Sequence, residues 1–412
     1  MRNSVALEDA KALPIWKKPI ALLFIMTAAM PLSFSVWSAL LNNFTIEVIG
    51  FDGVDIGWLH GIREIPGFLA VGVIVIIIFM HEQTLALVSL LMLGAATAVT
   101  AWFPNMTGIL TITMLSSIGF HYYETVNQSL QLQWLAKEEA PRMLGLLIGA
   151  GSGAALIAYV IIVSSWKSLS LSYNLVYLIA GGTTVLITLY CVFAFPRFTT
   201  AHPQVKKMIL RKRYWLYYAL QFMAGARRQI FFVFAGFMMV EHFGMRVDQI
   251  TSLYLINLVI NIVAAPLMGL AVGRYGERNA LLFEYLGLMV VFLAYGGIYF
   301  FGWGVVLAAV LYVLDHIFFS LALAVKTYFQ KIVDPQDIAP TAAVAFTINH
   351  ISALLLPILL GYIWLHSPAY VFFAAAGFSA LSFGLALLIP ANPKKGCETV
   401  FSRFNLRRET AA

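Results

Sequence analysis

Charge is what this sequence has least of. Asp, Glu, Lys and Arg make up 11% of its 412 residues, against roughly 25% in a soluble domain. So few charges cannot clothe a water-soluble surface, and a soluble globular protein is excluded. Cysteine is nearly absent as well. Cys191 and Cys397 are too few for a disulfide framework, and a lone thiol in an apolar run packs as a small hydrophobe. No Walker-type phosphate loop, nucleophile elbow or zincin pattern is found. That removes ATP hydrolysis and intramembrane proteolysis. The chain is expected not to be an enzyme, and no cofactor is implied. Close His/Cys spacing of the metal-ligand kind is missing too, so no metal is assigned.

What is present is apolar length. Hydrophobic residues are 61% of the chain, and about 20 in a row suffice to cross a bilayer as a helix. Twelve runs meet this: 19–45, 54–80, 83–103, 105–137, 142–167, 171–196, 212–243, 248–274, 278–301, 303–333, 337–365 and 368–390. The expected class is an all-α integral membrane protein with twelve transmembrane helices. The residues before Pro19 are polar and the first apolar run is too long for a signal h-region, so no cleavable signal is expected. The net charge is +7, which could suggest nucleic acid, but its distribution argues against that. Lys and Arg gather in the N-terminal tail, the even-to-odd loops and the C-terminal tail, and the opposite loops hold Lys167 and Arg246. This positive-inside asymmetry places both termini in the cytoplasm. The loop with Arg197, Lys206, Lys207, Arg211, Lys212 and Arg213 is a topology anchor beside anionic lipid.

That loop separates six runs from six. The expected organisation is a tail over 1–18, a bundle over 19–196, a basic linker over 197–211, a second bundle over 212–390 and a tail over 391–412. The halves echo each other. Val54-Asp55-Ile56 and Val247-Asp248-Gln249 each place an acid before an even-numbered helix, where a carboxylate caps free N–H groups. Between runs 8 and 9 the chain reads Gly269, three residues, Gly273, Arg274, Tyr275, Gly276, Glu277, Arg278. This resembles the signature of the major facilitator superfamily: a Gly, three residues, Asp, Arg, any residue, Gly, Arg, Arg. Gly273 stands where that pattern has Asp, and Glu277 at its first basic position. The first-half loop Met80-His81-Glu82-Gln83 lacks the motif. The end of run 4, from Leu135 through Lys137 and Pro141 to Gly145, is similar to the superfamily's loop between helices 4 and 5. Gly145, Gly149, Gly151 and Gly153 resemble the glycine motif of its antiporters, with Ala150 in place of Pro; close helix packing explains such spacing equally well. The resemblance implies a twelve-helix secondary transporter in two pseudo-symmetric halves. It also implies conformational gating by Gly269, Arg274, Gly276 and Arg278.

The polar residues follow the same plan. Runs 3, 6, 9 and 12 carry almost no ionisable group, Glu284 being the exception, whereas runs 1, 4, 7 and 10 carry several. In the resembled fold those four line the cavity. Ser117, His121, Glu124, Gln128 and Gln131 share one face of one helix. Glu124 lies near midplane, where an ionised carboxylate is costly, and His121 titrates near neutrality. The pair suits proton carriage or a fixed ion pair. Run 7 has Arg227 and Arg228, which demand anionic partners. Either Glu124 and Asp315 serve, or a solute brings the charge. Lys326, near one end of run 10, can snorkel.

The expected role is transport of a small anionic or zwitterionic organic solute by alternating access, coupled to protons. Candidate solute contacts are Arg227, Arg228, Arg63, Tyr122, Tyr123, Asn127, Gln128, Tyr312, His316 and Asn257; candidate proton carriers are Glu124, His121 and Asp315. The expected setting is a bacterial cytoplasmic membrane, as a monomer with lipid, solute and protons as partners. Alternatives are hydrophobic drug efflux, metal-ion or metal-chelate transport through converging His121, His316 and His350, and a non-transporting sensor.

Overall fold

The computed structural model describes residues 4–7, 9–69, 72–135, 140–199, 210–334 and 337–402. Lys137 to Glu139 of the expected loop motif, and Lys206 and Lys207, lie outside these. Helices dominate: α1 (Pro19–Phe44), α2 (Gly53–Phe68), α3 (Gly72–Phe79), α4 (Glu82–Val99), α5 (Met106–Trp134), α6 (Ala140–Ser165) and α7 (Tyr173–Ala194) come first. Then come α8 (Trp215–Gln229), α9 (Gly236–Glu241), α10 (Val247–Tyr275), α11 (Glu277–Phe301), α12 (Val305–Phe319), α13 (Leu323–Ile332), α14 (Ile338–His366) and α15 (Pro368–Leu387). A π-helical stretch, Ile230–Ala235, joins α8 to α9, and a 3-10 turn, Ser320–Ala322, joins α12 to α13.

Among the described residues ten helical segments are long and apolar enough to cross a membrane. The expected runs 2 and 4 are the two that do not qualify. Run 2 is described in two pieces, α2 and α3, with residues 70 and 71 outside the described ones, and run 4, now α5, is diluted by its polar face. The starts of the helices follow local chemistry. Pro19 sits in the first turn of α1, where its missing N–H costs nothing. Asn105 caps α5, accepting from the Gly108 amide at 2.8 Å. At α2 the cap is Asp52, whose Oδ1 accepts from the Val54 and Asp55 amides at 2.8 and 3.0 Å. Asp55, the expected cap, lies inside the first turn, and its carboxylate accepts in return from the Asp52 amide at 3.3 Å.

The chain divides into two compact units. The first holds Met1–Phe51, Ile62–Val205 and Met245–Leu255; the second holds Asp52–Gly61, Lys206–Gly244 and Ile256–Ala412. In the first unit α1 packs on α4, α6 and α7, and α4 packs on α5 and α7. Leu22, Met26, Leu90, Leu93, Tyr123 and Val126 are in its core. A side chain at Gly181 would lie 2.3 Å from the Gly94 carbonyl, so α4 and α7 touch through backbone. Ser33 donates to Thr184 at 2.8 Å, which in turn donates to the Ala29 carbonyl at 3.0 Å. A short parallel ribbon pairs β1 (Ser4–Ala6) with β2 (Arg197–Thr199).

In the second unit α11 packs on α15 and α12, and α8 on α14 and α15. A side chain at Gly225 would meet the Asn349 carbonyl at 2.4 Å. Asn349 donates to the Gln221 carbonyl and Ser352 to the Phe222 carbonyl, both at 3.0 Å. These polar groups join α8 to α14. The segment beyond α15 folds back onto this unit, where the Tyr328 hydroxyl donates to the Glu398 carbonyl at 2.6 Å.

Candidate functional site

Packing orients the polar face of α5. A Cβ at Gly119 would lie 2.6 Å from the Ser89 carbonyl of α4, so that side of α5 is pressed against its neighbour. Ser117, His121 and Glu124 lie on the other side. Along this face Ser117 and His121 are buried, Glu124 and Gln131 are half-buried, and Gln128 is exposed. Among the described residues Glu124 has neither a hydrogen bond nor an ion pair.

At the buried end of the stripe lies a narrow cleft lined by Phe34, Trp37, Arg63, Thr113, Ser116, Ser117 and Phe120. Its enclosed volume is about 10 Å³, the room one water needs. Ser117 donates its hydroxyl to the Arg63 carbonyl, joining α5 to α2. The Arg63 guanidinium contacts the Glu64 carboxylate at 2.5 Å and lies 5.8 Å from the Trp37 ring centroid. Phe34 stacks on Phe120 at 4.4 Å, and Phe120 meets the His121 ring edge-on at 5.0 Å. A charge pair of both signs therefore adjoins a wall of flat rings. Sequence inspection singled out Arg63 but not Phe34, Trp37 or Phe120. Their spacing on α1 and α5 is that of ordinary core aromatics.

The other expected contacts divide by burial. Tyr122 is half-buried, whereas Tyr123 is fully buried and packs in the apolar core of the first unit. Asn127 and Asn257 are also buried. Tyr312 is buried with its ring 4.7 Å from Phe231, and His316 is half-buried, 6.5 Å from the same ring. The adjacent arginines of α8 have different fates. Arg228 is half-buried. Arg227 is 1% exposed, contacts Glu284 of α11 at 3.4 Å and lies 4.2 Å from the Tyr285 ring centroid. In this arrangement Arg227 is enclosed as an internal ion pair and is not open to a solute. Its contact partner is Glu284, which was not one of the acids expected, while Asp315, which was, lies within electrostatic reach. The sequence signal was a lone carboxylate in an otherwise apolar helix.

No family model matches the sequence, and no curated protein matches it. Its structure, by contrast, superimposes on known ones. A crystal structure of the nucleoside transporter NupG, a point mutant, aligns with a TM-score of 0.75 at 14% identity, over 90% of this chain and 99% of that one. A bacterial homologue of the human lysosomal transporter Spinster aligns at 0.71 and 11% identity, over 92% and 97%. A POT family transporter in complex with a thioalcohol-conjugated peptide aligns at 0.69 and 12%, over 89% and 94%. The chain has the major facilitator fold.

In that fold the signature loop is the turn between α10 and α11, and here it is rebuilt. Gly276 has φ 81° and closes the turn by donating its amide to the Val272 carbonyl at 2.9 Å. A side chain would strain this backbone. Glu277, the reversed charge, is buried and contacts Lys331 of α13 at 2.6 Å. Arg274 is exposed, 5.6 Å from the Tyr275 ring, and Arg278 is half-buried. Gly269 and Gly273 are exposed, with open space where a Cβ would be. The first-half loop is the counterpart. Glu82 accepts from Ser129 at 2.9 Å and from Gln133, both on α5. In each half an acid opens the third long helix and holds the end of the polar helix that follows.

Proposed function

We propose that this protein is a secondary transporter that moves a small zwitterionic or anionic organic solute across the membrane by alternating access, coupled to protons. The fold supports transport, since the neighbours named above are transporters. The carrying observation is local: Glu124 is half-buried and partnerless among the described residues, on the same helix face that leads to the Arg63–Glu64 pair and its aromatic wall. A carboxyl with no fixed counter-charge can change protonation without breaking a structural contact. Arg63 is already opposed by Glu64, so once alternating access widens this one-water cleft, a solute carrying both charges would suit it better than a bare anion. Phe34, Phe120 and Trp37 favour a flat ring. Arg228, Tyr122, Gln128 and His316 are half-buried or exposed and remain in the proposed contact set. The distribution of Lys and Arg supports cytoplasmic termini, in a bacterial inner membrane, and the protein is proposed to act as a monomer.

The test begins with a thermal-shift panel of amino acids, nucleosides, peptides and organic acids on the detergent-purified protein. A specific ligand raises apparent stability. The selected solute is then followed in proteoliposomes. Flux across the membrane supports a transporter. Saturable binding with no flux identifies a sensor instead.

A further inference from the structure

The second unit buries more negative than positive charge. Arg227 of α8, Glu284 of α11 and Asp315 of α12 are 1%, 0% and 1% exposed. Arg227 contacts Glu284 at 3.4 Å, and Asp315 lies within electrostatic reach of both. The arginine is loosely held. Its Nε donates to the Met223 carbonyl at 3.3 Å, while its Nη2 has no hydrogen-bond partner among the described residues. Glu284 Oε2 and Asp315 Oδ2 are also without hydrogen-bond partners there.

Among the described residues Arg227 is the cation that acts on Glu284 and Asp315; Arg228 follows it on α8 and His316 follows Asp315 on α12, both half-buried. On α11 the other titratable groups facing the cluster are Tyr285, beside Glu284 and Arg227, and Tyr295, beside Asp315. Both hydroxyls are buried and can only donate to a carboxylate. Helix α15, packed against α8 and α11, holds no Asp, Glu, Lys or Arg. Helix α14 offers His350, whose Nδ1 sits 2.9 Å from the Phe346 carbonyl. The lysines of α13 are at its exposed side, with Lys331 on Glu277.

Two ionised carboxylates opposite one guanidinium would leave an uncompensated negative charge in a dry interior, which is strongly disfavoured. We propose that Glu284 and Asp315 form a proton-binding site in the second bundle, sharing one exchangeable proton while Arg227 balances the remaining charge. The two carboxyls titrate as a coupled pair, so the proton belongs to the pair. Glu284 is thereby assigned to proton binding, and Arg227 positions the charge. The site rests on the transport reading only for its use in coupling; its occupancy is a property of the bundle alone.

Infrared titration of the purified protein in lipid, carried out in Glu124→Gln so that the first bundle's carboxyl is silent, tests this. A protonated-carboxyl band should be present at neutral pH and disappear at alkaline pH. Glu284→Gln and Asp315→Asn, each added to that background, leave one acid opposite one arginine, and each should remove the neutral-pH band. Arg227→Gln leaves two acids without a cation and should raise its amplitude about twofold, one proton becoming two. No band at neutral pH in Glu124→Gln overturns the proposal, and this comparison needs no change in the second bundle. A band that survives both Glu284→Gln and Asp315→Asn also overturns it. Proton-driven flux failing while the band behaves as described would count against the coupling reading alone.

Discussion

The two bundles handle acidic groups in opposite ways. In the first, Glu124 is half-buried and has no partner among the described residues. In the second, Glu284 and Asp315 are sealed beside Arg227. A pseudo-symmetric fold thus carries one acid placed to meet solvent or solute and one pair placed to hold charge inside. The lesson concerns inference from charge in a membrane helix. Such a charge meets a solute only when it is reachable, and Arg227, sealed beside Glu284, is not reachable in this arrangement.

The largest expected effect is on the sealed side. Arg227→Met strips the counter-charge from Glu284 and should lower thermal stability in detergent by about 3–5 kcal/mol. Combining it with Glu284→Leu should recover most of that loss. If Arg227→Met is tolerated, the contrast between the bundles is broken. A steric control comes next. Gly225→Leu forces α8 away from the Asn349 carbonyl, 2.4 Å from where a Cβ would lie, and should cost about 1–3 kcal/mol by the same assay. On the reachable side the readout is transport. Arg63→Ala and Glu64→Gln should each weaken binding of a zwitterionic solute roughly tenfold or more, with less effect on a neutral analogue. Loss in Arg63→Ala alone would point to an anion.

The smallest effect lies outside the membrane. The hydrogen bond from Lys395, aided by Arg213 at 2.5 Å, holds the Asp334 carboxyl below its ordinary range. A carboxyl depressed in the folded state stabilises above its unfolded pKa, and that contribution is lost as pH falls through the folded one. Asp334→Asn should therefore lower the melting temperature slightly at pH 7 and low salt. The difference should fade as pH drops through the folded-state pKa, and in high salt, where exposed pairs are screened.

Much of the fold was legible because a bilayer forces apolar runs of fixed length. The all-α membrane class and ten of the spans followed from that constraint, while the superfamily resemblance came from loop residues such as Gly269 to Arg278. Two spans escaped the simple rule. α5 escaped because its polar face dilutes its hydropathy, and the second run because residues 70 and 71 lie outside the described ones. The candidate site was legible where helical spacing suffices, as in the stripe from Ser117 to Gln131. It was illegible where partners come from other helices. Spacing within α8 cannot say that Arg227 meets Glu284, nor that Tyr123 turns into the core while Tyr122 does not. The turn between α10 and α11 is similar. Glu277 looked like a defect in a motif, and only the fold supplies Lys331 as its partner.

The account stands most directly on accumulation of the identified solute in proteoliposomes under an imposed pH gradient, measured for the unchanged protein and for Glu124→Gln side by side. Because Glu124 holds up no described contact, the variant should fold within about 1 kcal/mol of the parent and still bind the solute. It should only equilibrate that solute, while the parent concentrates it. A Glu124→Gln protein that still drives the solute uphill would contradict the account.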